Sequence, residues 1–102
     1  MITEVVSKPV YRILNTLTGE PRVEVALPLA LKELLRVRLH AADQQRSAFE
    51  QRYGMDFPTF KNNWNNTEEP QKHSYEVEQD LWEWEAAVTD APRYREMLQS
   101  LP

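Results

Sequence analysis

Cysteine is absent from this 102-residue chain, so disulfides, thiolate nucleophiles and Cys-ligated zinc are all excluded. Glycine occurs only twice, at Gly19 and Gly54, which leaves no glycine-rich loop to cradle a phosphate. No apolar run approaches the length needed to cross a bilayer, and the N-terminus lacks the basic and apolar regions of a signal peptide. The expectation is a cytoplasmic protein with no membrane role. An excess of positive charge is missing as well: 12 Lys and Arg stand against 16 Asp and Glu, a net charge of -4 that disfavours a broad nucleic-acid surface. What is present is a 41% hydrophobic fraction with three Trp, four Tyr and three Phe, enough for the core of one domain over 1–102.

Charge is unevenly distributed. Residues 1–40 carry six bases and four acids, net +2, whereas residues 41–102 carry six bases and twelve acids, net -6. Within 68–90 eight acids accompany a single base, Lys72, net -7. Such a two-ended molecule suits a self-complementary contact or a basic partner.

Residues 1–9 read as a flexible arm or a short strand. From there VYRILNTL is rich in β-branched and aromatic residues, and RVEVALP alternates, with Val23, Val25 and Leu27 on one side and Arg22, Glu24 and Ala26 on the other. TLTGEP lies between them and Gly19 can adopt a positive φ, so the pattern predicts a β-hairpin over 10–27. A lone hairpin is marginal in water and needs cover. Pro28 suits a first helical turn, and the segment from there to Tyr53 contains neither another Pro nor any Gly. Leu31, Leu34, Leu35, Ala42, Phe49 and Tyr53 recur at helical spacing. A helix of that length exceeds what a small monomer covers, so it is expected either to break near 43–47 or to pack on a second copy.

Gly54 is the expected helix stop, and Asp56 the expected N-cap of a short helix over 57–64. Met55 and Phe60 can form a hydrophobic staple around that cap, and Phe57, Phe60 and Trp64 share one face. An Asn-rich loop follows over 65–74, broken by Pro70. Ser74 can cap a last helix over 75–99, where Val77, Leu81, Trp84 and Val88 recur every three to four residues and Pro92 is expected to kink or divide it. The fold class expected is α+β, mainly helical: an N-terminal hairpin, a long helix, a short helix and a kinked C-terminal helix, in a homodimer that pairs the hairpin and helix 28–53.

Trp84 belongs to the apolar stripe, but Trp82 points about 160° away from it at 100° per residue. Its neighbours Glu76, Glu78, Asp80, Glu83 and Glu85 make it an aromatic anchor in an acidic setting, the composition of a partner-binding face; the competing reading is a helix buried on both sides. His73, Glu76, Asp80 and Glu83 fall along one helical edge, but the spacing matches no metal site, and a solvated acidic face accounts for them. No metal, cofactor or catalytic residue is assigned, and no Ser-His-Asp grouping stands out. The candidate nucleic-acid residues are Arg22, Lys32 and Arg36, with Arg38 and His40 nearby. A strand leading straight into a helix invites comparison with ribbon-helix-helix proteins, whose paired strands enter the major groove; a DNA-binding transcriptional regulator is one alternative function, and a small enzyme or metal-binding protein is the other.

The run AFEQRYGMDFPTFKNNW followed by HSYEVEQDLWEWEAAV resembles small bacterial and archaeal proteins in which an F-E-x-x-Y-G-M-x-F-x-x-F element precedes an acidic, Trp-containing helix. Several of those are held to be antitoxins of type II toxin–antitoxin pairs. The matching positions are Phe49, Glu50, Tyr53, Gly54, Met55, Phe57 and Phe60, then Glu78, Asp80, Trp84 and Glu85, within about residues 45–90. The resemblance implies a non-catalytic protein that binds and neutralises a basic toxin, with the acidic helix as the docking element.

Overall fold

The computed structural model describes residues 6–66 and 74–102. The described residues form four α-helices: α1 (Lys8–Thr18), α2 (Val23–Tyr53), α3 (Phe57–Asn65) and α4 (Tyr75–Ser100). They contain no strand, so the α+β expectation is corrected to all-α and the 10–27 hairpin becomes a pair of helical segments.

The reason lies in how the same residues satisfy their backbone. The Ser7 hydroxyl accepts from the Val10 N–H and Pro9 occupies the first turn of α1, where a missing N–H costs nothing. Gly19, at φ 70°, does not turn a hairpin; its N–H closes α1 on the Asn15 carbonyl at 2.8 Å. The period-2 reading of 22–27 gives way to a period of three to four, in which Val23 and Ala26 are buried with Leu14, and Leu27 and Ala30 pack alongside. Two β-branched segments with no third strand to pair with gain more from the self-contained hydrogen bonding of helices. Pro28, expected to open the long helix, lies inside it five residues after its start.

α2 is unbroken over 31 residues, about 46 Å at 1.5 Å per residue, so the expected break near 43–47 is absent. Its two halves serve two separate cores. The C-terminal half packs antiparallel against α4, a register marked by Arg52 on Asp80 at one end and Arg95 on Asp43 at the other. Small residues, Ala42 on α2 and Ala87 and Ala91 on α4, are buried in this half of the molecule, and α3 closes the far end. The N-terminal half carries only α1. The molecule measures 59 × 23 × 22 Å, with a radius of gyration of 19.6 Å against about 13 Å for a compact chain of this length.

The main core is aromatic. Trp84 is fully buried, with ring centroids of Phe60 at 5.0 Å, Phe57 at 5.4 Å, Phe49 at 5.6 Å and Tyr53 at 5.7 Å. Leu81 completes the buried set, and Met55, Trp64, Val77 and Val88 pack around it. The turn that makes this possible is Gly54, at φ 67°, whose N–H donates to the Glu50 carbonyl. Asp56 then accepts from the Thr59 N–H and starts α3. The Thr59 hydroxyl, and then the Thr59 N–H, hold the Asp56 carboxyl below its usual pKa. α4 runs through Pro92 to Ser100 as one element, so the expected division there is absent.

Candidate protein-binding face

Side chains of α4 sort by the 100° step of the helix. Leu81, Trp84, Ala87 and Ala91 turn inward. Trp82 turns outward and is 62% exposed, so the reading in which it closes the core does not hold. Tyr75 precedes it by two turns and is 77% exposed. Two large aromatics therefore share the outer surface of one helix. Tyr75 was not among the residues singled out from sequence, although its seven-residue spacing from Trp82 was the available signal.

The six acidic and aromatic positions assigned to a partner face divide. Glu78 and Glu85 fall within about 60° of Trp82 on one flank, and Glu83 and Glu76 lie further round on the other. Asp80 points away from Trp82, toward α2. Its Oδ2 accepts from the Tyr53 hydroxyl at 2.6 Å and from Arg52 Nη1 at 2.8 Å. Asp80 is thus removed from the partner face and becomes a strut between α2 and α4. Burial, and then the hydrogen bond to Asp80, push the Tyr53 hydroxyl up to about 12. The bond to Asp80 and its negative charge raise Arg52. Glu85 is also engaged, with Lys61 Nζ at 3.4 Å, in a half-exposed pair that a competing cation can displace. Glu83 accepts from the Gln79 amide at 3.2 Å. No ion pair involves Glu76, Glu78 or Glu83 among the described residues.

The structural positions do what a core demands. Tyr53, Met55, Phe57, Phe60, Trp64 and Trp84 assemble into one cluster, with Gly54 and Asp56 at the turn between α2 and α3. The nucleic-acid candidates are not brought into a reading element. Arg22 is exposed and pairs with Glu20 at 3.4 Å, while Lys32 and Arg36 lie one turn apart on α2, half-buried and exposed respectively. The strand that was to carry Arg22 into a groove is helix, and the ribbon-helix-helix likeness falls with it.

Among the described residues no group of three or more His, Cys, Asp or Glu side chains is placed to hold a metal; His73 lies outside them. An open hollow beside α1 is lined by Lys8, Tyr11, Arg12, Asn15 and Thr16 over Val6 and Val23, with no acid–base pair in it. No described helix is long and apolar enough to cross a membrane. No family model, curated protein or solved structure matches the chain in comparisons with known proteins.

Proposed function

We propose that this protein is a non-catalytic binding module of the cytoplasm whose α4 outer face docks a small basic protein, in the manner of an antitoxin neutralising its toxin. The observation that carries the reading is the exposure of Trp82 on the outside of an acidic helix, with Tyr75 two turns away on the same side. Exposed aromatics of this size are the usual anchors of protein interfaces, and the carboxylates of Glu76, Glu78 and Glu83 supply the charge that draws in and orients a cationic surface. The Glu85–Lys61 pair adds a carboxylate that a partner arginine can take over.

The experiment is a calorimetric titration of the chain with the small basic protein encoded by the neighbouring reading frame, across a salt series. Trp82→Ala should weaken binding by about 30-fold or more, the behaviour of an interface hot spot. Glu78→Gln with Glu83→Gln should chiefly slow association and flatten the salt dependence. Full affinity retained by Trp82→Ala and by the double Gln variant would remove this face from the reading.

A further inference from the structure

The N-terminal half of the molecule has a two-helix layout with very little interior. Leu14, Val23 and Ala26 are its only buried cluster among the described residues. Beside Leu14, α1 carries a second apolar ridge, Val10, Ile13 and Leu17, whose members are 53%, 59% and 74% exposed. By helical spacing Lys8 and Arg12 fall on the opposite side of α1, where they line the hollow, so the ridge carries no charge. On α2 the seam that α1 covers through Val23, Leu27 and Ala30 continues as Leu34, Val37 and Ala41 at the same three-four spacing, and all three are exposed. α4, in register with α2 through Arg95 and Asp43, packs on a different side of that helix.

We infer that these two features cover one another between two copies of the chain, the α1 ridge of each seated on the α2 seam of the other about a two-fold axis. The ridge runs from Val10 to Leu17 and the seam from Leu34 to Ala41, each a rise of about 10 Å along its helix, so their lengths match. Both belong to one chain, so a single symmetry operation covers both at once, as an isologous interface requires. The six side chains present on the order of 500 Å² of apolar surface per copy, which is the apolar part of a standard interface burying about 800 Å² per partner. The absence of charge from the ridge favours a second copy over the basic partner assigned to α4, since interface centres are depleted in charge. The pairing joins two helical hairpins into a four-helix bundle, the smallest arrangement in which each apolar face has cover. The stretch 42–53 stays on its own α4 and takes no part, which narrows the pairing of helix 28–53 expected from sequence.

The test is sedimentation of the full chain from micromolar to about 100 μM. A species of twice the 12.0 kDa chain mass is expected for the wild type. Leu17→Glu and Val37→Glu, each on an exposed position, should raise the dissociation constant by about 100-fold or more with far-ultraviolet circular dichroism unchanged. Because the chain lacks cysteine, a Leu17→Cys/Val37→Cys chain adds a second readout: mild oxidation should link two copies. Trp82→Ala should leave the dimer intact, which separates this interface from the α4 face. A wild type that stays monomeric at about 100 μM, or a dimer indifferent to both Glu variants and uncrosslinked by the Cys pair, would overturn the inference.

Discussion

Trp84 offers the most demanding check of the packing argument. It is fully buried, four aromatic rings surround it, and its indole Nε1 has no hydrogen-bond partner among the described residues. Trp84→Ala removes all of that contact and leaves a cavity that the flanking helices can only partly close, a loss of about 3–5 kcal/mol. In a domain of this size that is a large share of a total of about 5–15 kcal/mol, and it should lower Tm by at least about 12 °C. Trp84→Phe is the sharper variant because two effects oppose. The smaller ring forfeits about 1–2 kcal/mol of burial, while deleting a buried donor without a partner returns about 1–3 kcal/mol. The net change should therefore lie between a loss of about 1 kcal/mol and a gain of about 2 kcal/mol. Urea and thermal unfolding followed by circular dichroism measure both variants without relying on the altered fluorophore. A Trp84→Phe chain destabilised by about 3 kcal/mol or more would refute the reasoning, and would mean that the indole N–H is satisfied by a ring face.

The node joining α2 to α4 gives a pH prediction. The folded protein holds the Tyr53 proton up to about pH 12 against 10.0 for an ordinary tyrosine, so stability is intact below pH 10 and should drain away between pH 10 and about 12; Tyr53→Phe should remove that slope in urea unfolding. Asp80→Ala leaves the Tyr53 hydroxyl without its acceptor and should cost about 1 kcal/mol, whereas Glu83→Ala on the exposed side should stay within about 0.5 kcal/mol; equal effects in paired melts would contradict the division of these two acids. Gly54→Ala should cost about 1 kcal/mol although nothing lies within 4 Å of the added Cβ, because the penalty is the left-handed backbone alone; an unchanged melting temperature would argue against that turn.

The parts of the fold legible in the sequence were those where independent local signals agreed. Around α3 a stop glycine, a capping aspartate and an aromatic stripe lie within a dozen residues and all specify one turn, which the structure contains. The inward stripe of α4 and the outward direction of Trp82 follow from the helical period alone. The N-terminal third misled because its signals conflict. Val23, Val25 and Leu27 alternate, yet Val23, Leu27 and Ala30 also fit a helix, and alanines at 26 and 30 carry the packing without standing out as hydrophobic landmarks. Gly19 is equally suited to a hairpin turn and to a helix stop. Neither proline ends a helix: Pro28 and Pro92 each delete one backbone hydrogen bond, a loss that long helices anchored by tertiary contacts on either side withstand. Within the binding face, the engagement of Asp80 by Arg52 and Tyr53 spans 27 and 28 residues of sequence, and nothing local announces it.

Two cores threaded on one continuous rod have a consequence for how the molecule comes apart. The aromatic cluster is tied down by three helices, whereas α1 is held by the small Leu14, Val23 and Ala26 cluster, with Val6, Leu27 and Ala30 beside it, and by three side-chain hydrogen bonds to the connecting turn: Tyr11 to the Pro21 carbonyl, Asn15 to the Glu20 carbonyl, and the Glu20 N–H to the Thr18 hydroxyl. In a chain separated from its second copy, opening of α1 therefore requires far less free energy than global unfolding and need not disturb α4. In amide exchange the first helix should lose protection ahead of the rest, and limited proteolysis should nick the 19–22 connection while the remainder stays intact.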